Sequence, residues 1–121
     1  MTSEYAEALK RSGIDYDEAM DRFGGNTALF ERLAAKFLDD AHFTALEQAL
    51  ADGDDAAALR EAHTLKGVAG NLSFTDLYDA VSDVNAALRE GDSAAAEARM
   101  EPVRRAYDAV TAALRSLRDQ G

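Results

Sequence analysis

His63-Thr64-Leu65-Lys66-Gly67-Val68-Ala69-Gly70-Asn71-Leu72 is the stretch whose periodicity decides the fold. At about 100° per residue, Leu65, Val68, Ala69 and Leu72 fall on one side, joined by Ala58 upstream. His63, Lys66, Gly67 and Gly70 gather on the other side, within about 60° of the His63 direction. The pattern is that of an amphipathic helix whose imidazole points away from the apolar stripe. A glycine inside a helix costs about 1 kcal/mol relative to alanine. Neither glycine lies on the core side, so internal packing accounts for them poorly. Bare backbone beside an exposed histidine and lysine suits the approach of another protein.

The same periodicity extends in both directions. Downstream, Thr75 reads as the cap of a helix over 76–90, with Leu77, Val81, Val84 and Leu88 as its stripe and Gly91 as its stop. Asp92 or Ser93 caps a last helix over 93–119, whose stripe runs Ala96, Met100, Val103, Tyr107, Val110, Leu114 and Leu117. Pro102 interrupts it, and because the stripe keeps phase a kink is expected there. Upstream, Asp52-Gly53-Asp54 is a tight connection, with Asp54 or Asp55 capping the His63 helix, read over 55–73. Before it, Asn26 caps a long helix over 27–51, with room for a bend at Asp39-Asp40-Ala41-His42.

The first 25 residues read as two short helices. Ser3 caps one over 3–12, with Tyr5, Ala8 and Leu9 as a weak apolar side and Gly13 as its stop. Asp15 caps the other, with Ala19, Met20 and Phe23 apolar and Gly24-Gly25 ending it. The expected fold is all-α: an antiparallel up-down four-helix bundle over 26–119, preceded by short N-terminal helices over 1–25, in one domain spanning 1–121.

A chain of 121 residues can bury a real core without metal or disulfide staples, and there is no cysteine for thiolate chemistry. The formal net charge of −10 argues against nucleic acid and anionic membrane surfaces as partners. No apolar run reaches the length of a bilayer span, and Met1-Thr2-Ser3-Glu4 lacks the start of a signal peptide. A cytoplasmic, monomeric protein is the expectation.

His63-x-x-Lys66-Gly67-x-x-Gly70-Asn71-Leu72, preceded by Ala62, resembles the motif of histidine-containing phosphotransfer (HPt) domains. The likeness extends to Gly13-Ile14-Asp15, to Arg22-Phe23-Gly24-Gly25-Asn26, and downstream through Leu77, Ala80 and Gly91-Asp92, covering most of residues 13–118. The resemblance implies a four-helix bundle that carries a phosphoryl group on one exposed histidine. It would take the group from a receiver-domain aspartate and pass it to another receiver. A hybrid histidine kinase is a further implied partner, and the chain is either free-standing, as Met1 fits, or cut from such a kinase. It implies a carrier without a kinase site or cofactor of its own, the receiver bringing Mg²⁺ and an acidic pocket. Two positions depart from the family pattern. Asn85 stands where a Glu or Gln is common close to the active histidine, and Ser73 stands where a glycine commonly follows the leucine.

The residues themselves fit that chemistry. A neutral imidazole is a good nucleophile near pH 7, so His63 is the expected phosphoacceptor. Lys66, one turn on, is placed to stabilise phosphoryl oxygens; the plain alternative is a solvated lysine paired with an acid. Asn85, at the edge of its helix's core stripe, can lend polar support. Gly67 and Gly70 would leave room for the receiver; the plain alternatives are tolerated helix weakness, or one glycine admitting a neighbouring helix. Leu59 and Phe74 flank the His63 direction, and each reads either as part of the docking surface or as packing, for Phe74 under the turn. Asp39-x-x-His42 could form a metal pair, but the paired Glu-x-x-His sets of di-iron bundles are missing, and His42 reads as a surface residue. Two alternatives remain open: a bundle that docks to a receiver without transfer, and a metal-binding helical bundle.

Overall fold

The computed structural model describes residues 3–120, which form helices joined by short turns and contain no strand; the only β-type pairing among them is an isolated bridge between Ile14 and Phe74. In chain order the helices are α1 (Ser3–Arg11), α2 (Tyr16–Arg22), α3 (Thr27–Lys36), a 3₁₀ turn (Phe37–Asp39), α4 (His42–Ala51), α5 (Asp55–Asn71), α6 (Thr75–Arg89), α7 (Ser93–Ala98) and α8 (Met100–Gln120). The readings of Ser3 as a cap and Tyr5 as part of an apolar side fall on side chains outside those described.

Short acids and amides start four of these helices, as their chemistry dictates. Asp15, Asn26, Asp54 and Asp92 each accept a hydrogen bond from a backbone N–H three residues on, in Glu18, Leu29, Ala57 and Ala95. Each bond satisfies one of the donors that a helix N-terminus leaves unpaired. Thr75 breaks the expectation. Phe74 occupies the cap position without a side-chain cap bond, and the Thr75 hydroxyl instead donates to the Gly13 carbonyl at 3.3 Å.

The two long helices expected at the ends of the bundle are each interrupted. Over 27–51, helix α3 tightens into the 3₁₀ turn and Asp40 then adopts an extended conformation, with ψ 131°. Its carboxylate accepts from the His42 N–H at 2.8 Å, so an aspartate that weakens one helix nucleates the next. The expected bend is therefore a full break. Over 93–119, the expected kink is a break as well, located at Arg99 between α7 and α8. Pro102 then lies in the first turn of α8, where its missing N–H leaves no interior hydrogen bond unmade. The stripe nonetheless stays in phase: Ala96, Met100, Val103, Val110 and Leu114 are buried, and Tyr107 and Leu117 are half-buried.

Helix α5 packs between α4 and α6, and α6 packs in turn on α7 and α8. Leu46, Leu65, Leu77, Val81, Val84, Met100 and Val103 are fully buried in the core. Each such side chain removed from water contributes about 1.5–3 kcal/mol. Phe37 meets Phe74 edge-on at 5.2 Å and Tyr107 at 5.8 Å, while Tyr107 stacks on Phe43 at 4.0 Å. Desolvation in this cluster, then the nearby Asp40 charge, pushes the Tyr107 phenol pKa up.

The turn from α5 to α6 sets where the histidine-bearing helix lies. Ser73 takes the left-handed conformation, φ +59°, that ends a helix. The Phe74 N–H then reaches back to the Ala69 carbonyl at 2.9 Å, and the Ser73 N–H to Gly70 at 3.2 Å, closing a Schellman motif. This is why a glycine suits the position. Ser73 compensates with its hydroxyl, which is buried and donates to Glu18 at 2.9 Å. The N-terminal helices clip onto the same turn: the Asp15 N–H donates to the Ser73 carbonyl at 2.8 Å. Gly13, at φ +86°, lies so close to Asp76 that a β-carbon there would stand 2.8 Å from its carboxylate.

Ser73→Ala keeps the left-handed strain and removes the donor to Glu18, a loss of about 1–2 kcal/mol. Ser73→Gly loses the donor but relieves the strain, so its urea midpoint should lie nearer to wild type. An alanine variant at least as stable as the glycine variant would contradict this account.

Candidate phosphotransfer site

The site is built on α5. Ala58, Ala62, Leu65, Ala69 and Leu72 are buried, Val68 is half-buried, and this face fixes the helix rotation. His63 is consequently exposed, and Lys66 is half-buried one turn on. Residues at this spacing have β-carbons about 5–6 Å apart. Arg60 is exposed one turn before His63, so basic residues occupy the positions one turn to either side of it along the helix. Glu61 is turned about 200° from His63 on the wheel. Its carboxylate is held at 2.6 Å by Nδ1 of His42. His42 is thus not the plain surface residue expected, but the anchor of an acid facing away from the site.

The two glycines have different surroundings. A β-carbon on Gly67 would meet nothing within 4 Å, so its backbone is open to solvent or to a partner. One on Gly70 would stand 3.2 Å from Cδ2 and Cε2 of Tyr78. Gly70 therefore admits a side chain from the neighbouring helix, one of the readings open to it. Tyr78 is 38% exposed, and the Lys66 ammonium lies over its ring at 5.6 Å from the centroid. A cleft of about 500 Å³ adjoins this arrangement, lined by Lys66, Gly67, Gly70 and Tyr78 and walled by Glu18 and Arg22 from α2.

Asn85 is 96% buried by its 4% exposure, and its Oδ1 has no hydrogen-bond partner among the described residues. The chain doubles back at Ser73 and brings Tyr78 against Gly70. Seven residues before Gly70 is His63, and seven after Tyr78 is Asn85. Each step is about two helical turns, so the two residues lie at the same level of the helix pair. A buried unpaired amide oxygen costs about 1–3 kcal/mol, which burial for packing alone does not account for.

Two expected docking residues fare differently. Phe74 is 0% exposed and packs on Phe37, so it belongs to the core and not to the docking surface. The helix stops at Asn71, and the left-handed Ser73 swings Phe74 inward, off the wheel that placed it near His63. Leu59 is half-buried against the core and offers only part of its side chain. Tyr78 and the α2 residues Glu18 and Arg22 were not singled out as site residues from the sequence. The one signal was an aromatic residue off the core stripe of α6, beside Leu77. No group of three or more side chains able to hold a metal occurs among the described residues. No helix there is long and apolar enough to cross a membrane.

Gly67→Ala fills open space in a helix and should stabilise the fold by about 1 kcal/mol, read as a rise of a few degrees in the thermal midpoint. Gly70→Ala should gain less, because the Tyr78 ring must give way. Equal gains would contradict the contact between Gly70 and Tyr78.

A family model for the Hpt domain matches residues 32–120, most of the chain. No curated protein and no solved structure gives a significant match. Hpt domains are phosphocarrier modules of two-component systems that act with receiver domains and kinases. The helical bundle built around α5, together with this match, establishes that the chain belongs to the Hpt domain family.

Proposed function

We propose that this chain accepts a phosphoryl group from a receiver-domain aspartate on His63 and passes it to a second receiver domain. The observation that carries the reading is the exposed imidazole of His63 with Lys66 one turn on and the open backbone of Gly67 beside it. The helices α3–α4, α5, α6 and α7–α8 serve as the four arms of an up-down bundle that holds this face outward. Gly67 with part of Leu59 forms the surface on which the receiver docks, and Gly70 seats the Tyr78 ring at its edge.

In the transfer, an unprotonated ring nitrogen of His63 attacks the phosphorus of the acyl phosphate. The N–P bond forms as the P–O bond to the aspartate breaks, and the carboxylate leaves with the electron pair. The proton on the other ring nitrogen stays in place. Such a reaction is governed by positioning and by neutralising charge on the equatorial oxygens. The receiver supplies Mg²⁺ and its acidic pocket. This chain supplies the nucleophile, the Lys66 cation and the Asn85 amide, which lies level with His63. The reverse reaction onto a second receiver uses the same groups, so the domain is a carrier without a kinase site.

Incubation with phosphorylated receiver domains should label the wild type with an acid-labile, alkali-stable phosphoryl group and leave His63→Gln unlabelled. Tight binding without label would instead favour a docking adaptor. Asn85→Leu removes the unpaired buried oxygen, so it should raise the denaturation midpoint while slowing transfer several-fold. A variant that is more stable and transfers at the wild-type rate would remove Asn85 from the site.

A further inference from the structure

The Lys66 side chain is placed in a way that the proposed chemistry does not require. Side chains on a helix lean toward its N-terminus, which for Lys66 is the direction of His63. The ammonium is instead over Tyr78, a residue that touches α5 at Gly70, one turn beyond Lys66 on the opposite side from His63. The ring stands there because Gly70 has no β-carbon. The electron-rich face of a phenol attracts an ammonium, modestly where the ring is partly in water.

We propose that Tyr78 is a positioning residue that gives Lys66 a resting seat, so that the lysine has two stations along α5. In the unphosphorylated protein the ammonium lies on the Tyr78 ring and leaves the imidazole of His63 uncovered for the incoming phosphorus. Once His63 carries a phosphoryl group, its negative oxygens bind the ammonium more strongly than the ring does, since charge-assisted hydrogen bonds exceed an exposed cation–π contact. Lys66 then swings one turn back to the phosphoryl group. The ring thus competes with phosphohistidine for the same cation and shortens the life of the phosphorylated form. This rests on the reading of His63 as phosphoacceptor and Lys66 as its stabiliser.

Two measurements test it, the first independent of any phosphotransfer. In the unphosphorylated protein, NMR should show the Lys66 side-chain methylene protons shifted upfield by the Tyr78 ring. The shift should persist in Tyr78→Phe and vanish in Tyr78→Leu. An absent shift in the wild type overturns the proposal. The second uses phosphoramidate, a small-molecule donor that phosphorylates histidine with loss of ammonia and needs no cognate receiver. Failure to label wild-type His63 would overturn both the function and the second station, even with the NMR shift present. With label in place, the upfield shift of Lys66 should disappear on phosphorylation. The half-life of phosphorylated Tyr78→Leu should be about two- to fivefold longer than wild type, the range that releasing an exposed cation–π contact allows. Tyr78→Phe should match wild type. Lys66→Ala should shorten the half-life and make it insensitive to Tyr78→Leu. An unchanged or shorter half-life in Tyr78→Leu, or the same effect in the Lys66→Ala background, overturns the proposal while leaving His63 as the acceptor.

Discussion

A single serine in the left-handed conformation, with a buried phenylalanine directly after it, holds the two halves of the site in register. Ser73 ends α5 and turns the chain, and Phe74 plugs the interior beneath the turn against Phe37. Without that reversal α6 would not return along α5, Tyr78 would not meet Gly70, and Asn85 would not lie level with His63. The remaining features of the site are local to α5. The buried alanine and leucine stripe fixes the helix rotation, and the rotation leaves His63 outside. Placement of the imidazole is therefore a consequence of packing on the far side of the helix.

The site also departs from what a stable helix pair would choose. Gly67 stands where alanine would fit without contact, Gly70 where a methyl group would push a ring, and Asn85 buries an oxygen without a partner. Such local conflicts with packing and hydrogen bonding concentrate where function imposes its own demands. Gly67 and Asn85 each carry a cost that the surrounding structure does not use. Gly70 is different, because its missing side chain is filled by Tyr78.

Much of this was legible in the residues. The caps at Asp15, Asn26, Asp54 and Asp92 follow from short side chains that bond their own backbone, and the buried stripes follow from helical spacing. The outward direction of His63 came from the same spacing. What periodicity could not deliver were interruptions that keep phase. The breaks at Asp40 and before Pro102 leave the apolar register intact, so a helical wheel passes over them. Phe74 was misplaced because a wheel assumes that the helix continues, and a left-handed residue other than glycine gives little warning. The seat of Lys66 on Tyr78 and the tether between His42 and Glu61 join separate helices, and a pattern read along one helix does not contain them.

The match to the family begins at residue 32, yet residues before it are stitched into the turn that carries the site. Gly13 accepts bonds from the Asp76 N–H and the Thr75 hydroxyl, Asp15 donates to the Ser73 carbonyl, and Glu18 takes the Ser73 hydroxyl. Trimming the protein to the matched boundary would strand four backbone or hydroxyl groups and unroof Phe74. The N-terminal pair of helices is thus a lid on the hinge between α5 and α6, and the smallest fragment that preserves the geometry around His63 has to begin before Gly13.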